Sequence, residues 1–160
     1  MPMLDAYIPE GALAPDAERR LLAELTSILL KWEGADPDDA VARSIAWVFL
    51  HRPAAILVGG EPAELPRYRI VASVPEGQLD AERRAGMVAA VTEAVLDAEP
   101  DDRSRDPRRV WVFPQEIQEG TWGSGGQIVR LADIAGFVLG DREAGERHAA
   151  KRLARAVSAP

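Results

Sequence analysis

Cysteine is absent from the 160 residues, which excludes disulfides and thiolate-held metal and leaves the redox compartment unstated. Histidine is nearly absent: His51 and His148 are too few for a histidine-built metal site. Basic charge is in the minority, 19 Lys and Arg against 26 Asp and Glu, and the net charge of -7 argues against nucleic acid as the principal partner. No basic segment followed by an apolar one opens the chain, and no apolar run approaches the ~20 residues that cross a bilayer. Neither a membrane nor a metal is therefore expected as a partner, and the default expectation is a soluble cytoplasmic protein. What the chain does have is 47% hydrophobic and 28% charged residues, enough for one globular domain with a core.

The first eleven residues recur. Leu4, Ala6 and Ile8 match Ile70, Ala72 and Val74 as one face of a strand, where side chains alternate with period 2. Both strands run into Pro-Glu-Gly, and Asp-Ala-Glu-Arg-Arg follows each, at 16–20 and 80–84. Trp47-Val48-Phe49 returns as Trp111-Val112-Phe113. The chain is two copies of one unit, 2–60 and 67–131, and only the first carries a proline directly after Met1.

In the first unit Pro15 suits a helix start and Gly34 its end. Leu21, Leu22, Leu25, Ile28, Leu29 and Trp32 make an apolar stripe at helical spacing between them. Residues 35–42 read as a polar loop and 44–50 as a strand apolar on both faces, closed by His51, Arg52 and Pro53. Ile56, Leu57 and Val58 ahead of two glycines suggest a short edge strand. The second unit repeats the order: strand 69–74, helix near 80–98 striped by Met87, Val88, Val91 and Val95, polar loop 99–108, strand 109–113. A glycine-rich turn then leads to a short strand at 127–131.

From Asp141 the composition turns to arginine, lysine and alanine. Residues 141–160 are expected as a basic helix or a flexible tail, with weak order favoured, and 1–140 as a single domain. Strand–helix–strand units join parallel strands by right-handed crossovers. Two of them predict an α+β fold: duplicated β-α-β units forming a four-stranded mixed sheet with two helices on one face. Trp47, Phe49, Trp111 and Phe113 cannot all face the helices, so the other sheet face is apolar and a homo-oligomer is expected.

Pro2 after Met1, the duplicated unit, the Pro-Glu-Gly turns and the late Glu-Ile…Gly-Thr-Trp-Gly-Ser-Gly-Gly segment resemble the tautomerase superfamily. That group includes 4-oxalocrotonate tautomerase, cis-3-chloroacrylic acid dehalogenase, malonate semialdehyde decarboxylase and macrophage migration inhibitory factor, and the likeness spans roughly 2–140. It implies a homotrimeric, cofactor-independent isomerase. Its base would be the Pro2 nitrogen once Met1 is removed, moving a proton between the enol and keto forms of a small 2-oxo acid or related carbonyl compound. A free terminal amine titrates near ~8 and falls when buried or beside a cation, so a sheltered one can act as general base near neutrality. The alternatives are hydratase or dehalogenase chemistry on an unsaturated acid through protonated Pro2, and a non-catalytic member of the fold.

Where members of the group place arginines, this chain has Ala12, Ala46, Gln78 and Trp111. The cation for a substrate carboxylate is then expected from Arg43, before the second strand, or Arg69, at the start of the third. Trp122 falls at the late-loop aromatic that lines the family's pocket, and Trp111 and Phe113 at strand positions used for pocket residues. These five are the expected substrate-binding set. Glu116 and Glu119 are candidate acids, and His51 and Arg52 lie at a strand end.

Overall fold

The computed structural model describes residues 2–158, and side chains through Ala154. Met1, whose removal the expected role of Pro2 requires, lies outside the described residues, as do Ala159 and Pro160 and the side chain of Arg155.

Four strands form the main sheet: β1 (Met3–Tyr7), β2 (Trp47–His51), β5 (Tyr68–Pro75) and β6 (Val110–Ile117), in the order β2-β1-β5-β6. β1 runs parallel to β2, β5 runs parallel to β6, and the central pair β1–β5 is antiparallel. In that pair Met3 faces Ser73, Asp5 faces Val71 and Tyr7 faces Arg69. This is the duplicated mixed sheet that the repeat predicts.

Helix α1 (Pro15–Glu33) opens on its proline and closes on Gly34 at φ 98, whose N–H reaches the Leu30 carbonyl at 3.1 Å. A left-handed cap of this kind is open to glycine without strain. Helix α3 (Ala81–Ala98) begins at Asp80, whose carboxylate accepts the Arg83 N–H. Leu21, Leu25 and Leu29 of α1, with Met87, Val91 and Val95 of α3, pack on Leu4, Ala6, Ile8, Ile70, Ala72 and Val74. These twelve are among the most buried side chains of the chain and make its core. The opposite face stays open: Trp47 is 61% and Trp111 65% exposed, with Phe49 and Phe113 beside them.

The edges of the first unit differ from expectation. Helix α2 (Ala40–Ser44) occupies what composition marks as loop and strand start, because Asp39 caps it by accepting from Val41 N–H at 2.7 Å and Ala42 N–H at 3.3 Å. The strand therefore starts at Trp47 rather than 44. The short edge strand is one arm of a hairpin, β3 (Leu57–Val58) with β4 (Glu61–Pro62), and the glycine-rich turn forms another, β7 (Gly123–Ser124) with β8 (Gln127–Ile128).

The end of the chain differs more. Leu131 begins helix α4 (Leu131–Leu139) instead of ending a strand, and α5 (Arg142–Ser158) is a continuous helix, not a weakly ordered tail. The two pack as a hairpin through glycines: a Cβ at Gly145 would lie 2.4 Å from the Gly136 nitrogen. Ala149 is buried, and the Arg152 backbone approaches Gly77, within 2.9 Å of where a Cβ would stand. The basic segment is thus packed against the Pro-Glu-Gly turn of the second unit.

Candidate functional site

Pro2 is buried, and its carbonyl accepts the Trp47 N–H at 3.2 Å. Because Met3 pairs with Ser73, Pro2 sits at the end of the sheet where β5 runs out into Pro75 and its turn. The last turn of α1, with Leu29, Leu30 and Glu33 buried, and the first turn of α3 come to this same end. Arg83 ties them together, donating to the Glu33 carbonyl at 2.9 Å and the Gln78 carbonyl at 3.1 Å. Trp32 lies on Gly86 so closely that a Cβ there would be 2.0 Å from the ring.

Two of the buried polar groups at this end stand out, Glu33 and Gln78. Burial pushes the Glu33 carboxyl up to about 7, against the pull of the amino-terminal charge and of Arg152. Gln78 is buried with its Oε1 lacking a hydrogen-bond partner. A carboxyl poised near neutrality and an unused acceptor can give, take or orient protons in a dry site. Sequence reading overlooked Glu33 and met Gln78 only as a position that lacks an arginine; Glu33 sits on the apolar side of the α1 stripe, one position after Trp32, and that phase was the available signal. Among the described residues no cluster of three His, Asp or Glu could hold a metal.

The structure divides the expected binding residues between the two ends of the sheet. Arg43, on α2, is at the Pro2 end, but its guanidinium is turned to Ser27 Oγ (3.1 Å) and the Pro37 carbonyl (2.7 Å). Trp122 precedes β7 beyond the end of β6, half-buried, its carbonyl accepting from Val129 N–H. Arg69 and Trp111 lie at the other end, because antiparallel β5 starts where β1 finishes. There Arg69 stacks on Tyr7 (4.7 Å) and Phe113 (5.4 Å), and Trp111 meets Phe113 edge-on. Within one chain, Arg69, Trp111 and Phe113 are brought together and away from Pro2. Glu116 and Glu119 accept from the Leu79 and Leu131 backbone N–H groups, bracing turns and a helix start. His51 bonds Asp5 at 2.6 Å and stacks on Tyr7, and Arg52 pairs with Glu18.

The end opposite Pro2 holds a cavity of about 750 Å³ between the β3–β4 hairpin and the starts of β5 and β6. Its floor is a buried ionic knot. Arg109, 1% exposed, donates to both Glu99 oxygens, and Glu99 also accepts from Tyr68 Oη (2.7 Å) and Arg103 (3.1 Å). Burial alone would raise the Glu99 carboxyl, but these hydrogen bonds outweigh it and hold it below the usual range, while burial pushes the Tyr68 phenol up. Tyr68 is in phase with Ile70, Ala72 and Val74, so its burial was legible; its partners were not.

No family model matches the chain, and no curated protein does. Solved structures do. Native fused 4-OT is 26% identical and superposes with a TM-score of 0.62, covering 79% of this chain and 94% of its own. An asymmetric trimer of wild-type F6 fused 4-OT is 24% identical, with a TM-score of 0.62 over the same shares. Macrophage migration inhibitory factor of Toxoplasma gondii is 16% identical, with a TM-score of 0.61 over 79% of this chain and 99% of its own. These similarities join the duplicated sheet and the buried Pro2 in one conclusion: by its fold, the chain belongs to the tautomerase superfamily.

Proposed function

We propose that the chain is a cofactor-independent tautomerase working as a homotrimer, with the Pro2 nitrogen as its base. The observation that carries this is the burial of Pro2 at the head of β1, on a fold shared with fused 4-OT. Once Met1 is removed, the nitrogen is a secondary amine in a sheltered place, where burial disfavours its charged form. It takes a proton from the oxygen of a small enol acid and returns it to carbon. Arg83, already directed to this end by two carbonyls, is the cation best placed for the carboxylate, while the Arg43 guanidinium on α2 is held by Ser27 Oγ and the Pro37 carbonyl. Trp122 closes the same end. The uncovered aromatic face supports assembly, as does the trimeric state of F6 fused 4-OT. In a ring of three closed through this face, Trp111 and Phe113 of one copy wall the Pro2 site of the next, and Arg69 reaches it only from a neighbour.

The test is enol–keto turnover of phenylpyruvate by native and Pro2→Ala protein, with intact mass measured on both. Positioned proton transfer contributes about 10²–10⁴-fold, and the variant loses a factor of that order. Equal rates with Met1 absent would exclude the proline mechanism. Glu33 supports a second reading: ionised above its raised pKa, it favours a protonated Pro2, the form that hydration of an unsaturated acid needs. The limb of the pH–rate profile separates the two, since the isomerase needs the free amine and the hydratase its conjugate acid.

A further inference from the structure

Helix α5 brings a cation to the Pro2 end of the sheet that the proposed chemistry has not yet used. The Arg152 backbone packs on the turn after β5, 2.9 Å from where a Cβ on Gly77 would stand. From there its half-buried side chain reaches the end of α1. A Cβ built on Gly34 would meet Arg152 Nη2 at 2.8 Å and Arg83 Nη1 at 2.8 Å. Two guanidiniums, one from α5 and one from α3, therefore converge on a single point next to Glu33. Arg83 is held there by the Glu33 and Gln78 carbonyls, which fix its place and leave its charge.

The acids at this point offset the two cations only in part. Asp80 comes no nearer to Arg83 Nε than 3.8 Å and is exposed. Burial lifts the Glu33 carboxyl to about 7 against the pull of Arg152, so in neutral water it supplies about half a charge. His148, one turn before Arg152 on α5, is pushed down by burial and then by repulsion from Arg152, Arg83 and Lys151. A place this positive stands out in a chain of net charge -7, and it draws in a small anion. We propose that Arg152 is a substrate-binding residue of the Pro2 site, its planar fork and that of Arg83 closing from two helices on the carboxylate of a small 2-oxo acid. This clamp rests on the isomerase reading of Pro2, and it selects acids over neutral ketones. It also gives the basic C-terminal segment, which lies beyond the stretch that resembles the superfamily, a task in the site.

Isothermal titration of the full chain in its native oligomeric state, with cinnamate and the neutral cinnamamide, reads the clamp without turnover. Cinnamate binds the native protein at least tenfold more tightly than the amide, as expected for hydrogen bonds to a charged group. Arg152→Gln weakens cinnamate at least tenfold and leaves the amide and the melting midpoint unchanged. Arg152→Lys falls between, because it keeps the charge and loses the fork. In phenylpyruvate turnover Arg152→Gln raises KM more than it lowers kcat, the mark of ground-state binding, and cinnamate inhibits competitively. Pro2→Ala does the reverse, losing kcat and keeping the preference for cinnamate. Equal cinnamate affinity in native and Arg152→Gln protein, equal affinity for acid and amide, or no binding at concentrations on the order of 10 mM overturns the clamp. Equal turnover by native and Pro2→Ala protein, with the preference for the acid lost in Arg152→Gln, sinks the proline base and supports the clamp. Should Arg152→Gln fail to fold, Arg152→Lys decides: cinnamate bound as tightly as by the native chain refutes the role of the fork.

Discussion

Replacing Gly145 by alanine asks whether the basic C-terminal segment is a packed part of the molecule. Helix propensity alone says the change stabilises, by about 0.8–1.0 kcal/mol. The helix crossing says otherwise. The added Cβ would stand 2.4 Å from the Gly136 nitrogen and 2.6 Å from both the Ala132 oxygen and the Gly136 Cα. Carbon contacts are comfortable at roughly 3.5–4.0 Å, so α5 must lift from α4 by about 1 Å. Every atom in the way is backbone, and backbone cannot rotate aside as a side chain does. Overpacking costs about 1–3 kcal/mol, and this contact belongs at the upper end, leaving a net loss of about 2 kcal/mol after the propensity gain. At 2–4 °C per kcal/mol for a chain of this size, the melting midpoint falls by about 4–8 °C. Lifting α5 also withdraws the Arg152 backbone from Gly77, so amides of the 75–78 turn exchange faster with deuterium. A midpoint equal to or above that of the native protein, with the turn still protected, would refute the packing argument.

Removing Glu99 by substitution with alanine leaves Arg109, 1% exposed, as an unpaired buried charge, a loss of about 3–5 kcal/mol; a shift of the urea midpoint worth less than ~1 kcal/mol contradicts this account. Because folding raises Glu33 from 4.5 to about 7, the native state holds an extra proton between those values, and stability declines as pH rises through that window. Glu33→Gln removes that decline, on the order of 3 kcal/mol at ~1.36 kcal/mol per pKa unit, and parallel melting-versus-pH curves for the two proteins would show the premise to be false. Trp111→Asp sets a charge on the uncovered sheet face and is expected to dissociate the assembly; analytical ultracentrifugation reads this directly, and an unchanged sedimentation coefficient places the interface elsewhere.

The alternation of Leu4, Ala6 and Ile8, repeated at Ile70, Ala72 and Val74, made the sheet and its helix-covered face legible, because period 2 and duplication report the same surface twice. The α1 stripe did the same for the most regular helix. Composition left α5 open as a helix or a loose tail; its packing was not legible, since it runs through Gly145 and Ala149, and small residues that let backbones touch leave no apolar stripe. Helix α2 was missed because five residues are too few for a period and one aspartate cap holds them. At the site, Pro2 could be singled out by position, but the grouping of Arg69 with Trp111 follows from strand direction: β5 begins where β1 ends, a distance no local pattern encodes. The Glu99–Arg109 bond joins the first residue of a loop read only as polar to the first residue of the strand expected after it, a pairing no local pattern encodes.

The register of β1 on β5 places a local twofold axis through Asp5 and Val71, since each is the counterpart of the other in the repeat. If two first halves were to pair by the same rule, Asp5 would confront Asp5, and like charges directly opposite are repelled. Two second halves would set valine on valine without penalty. The acidic residue, engaged by His51 in the intact chain, therefore selects the union of unlike halves over that of two first halves. Asp5→Val should relax that choice, and an excised first half bearing it would be free to marry its own twin.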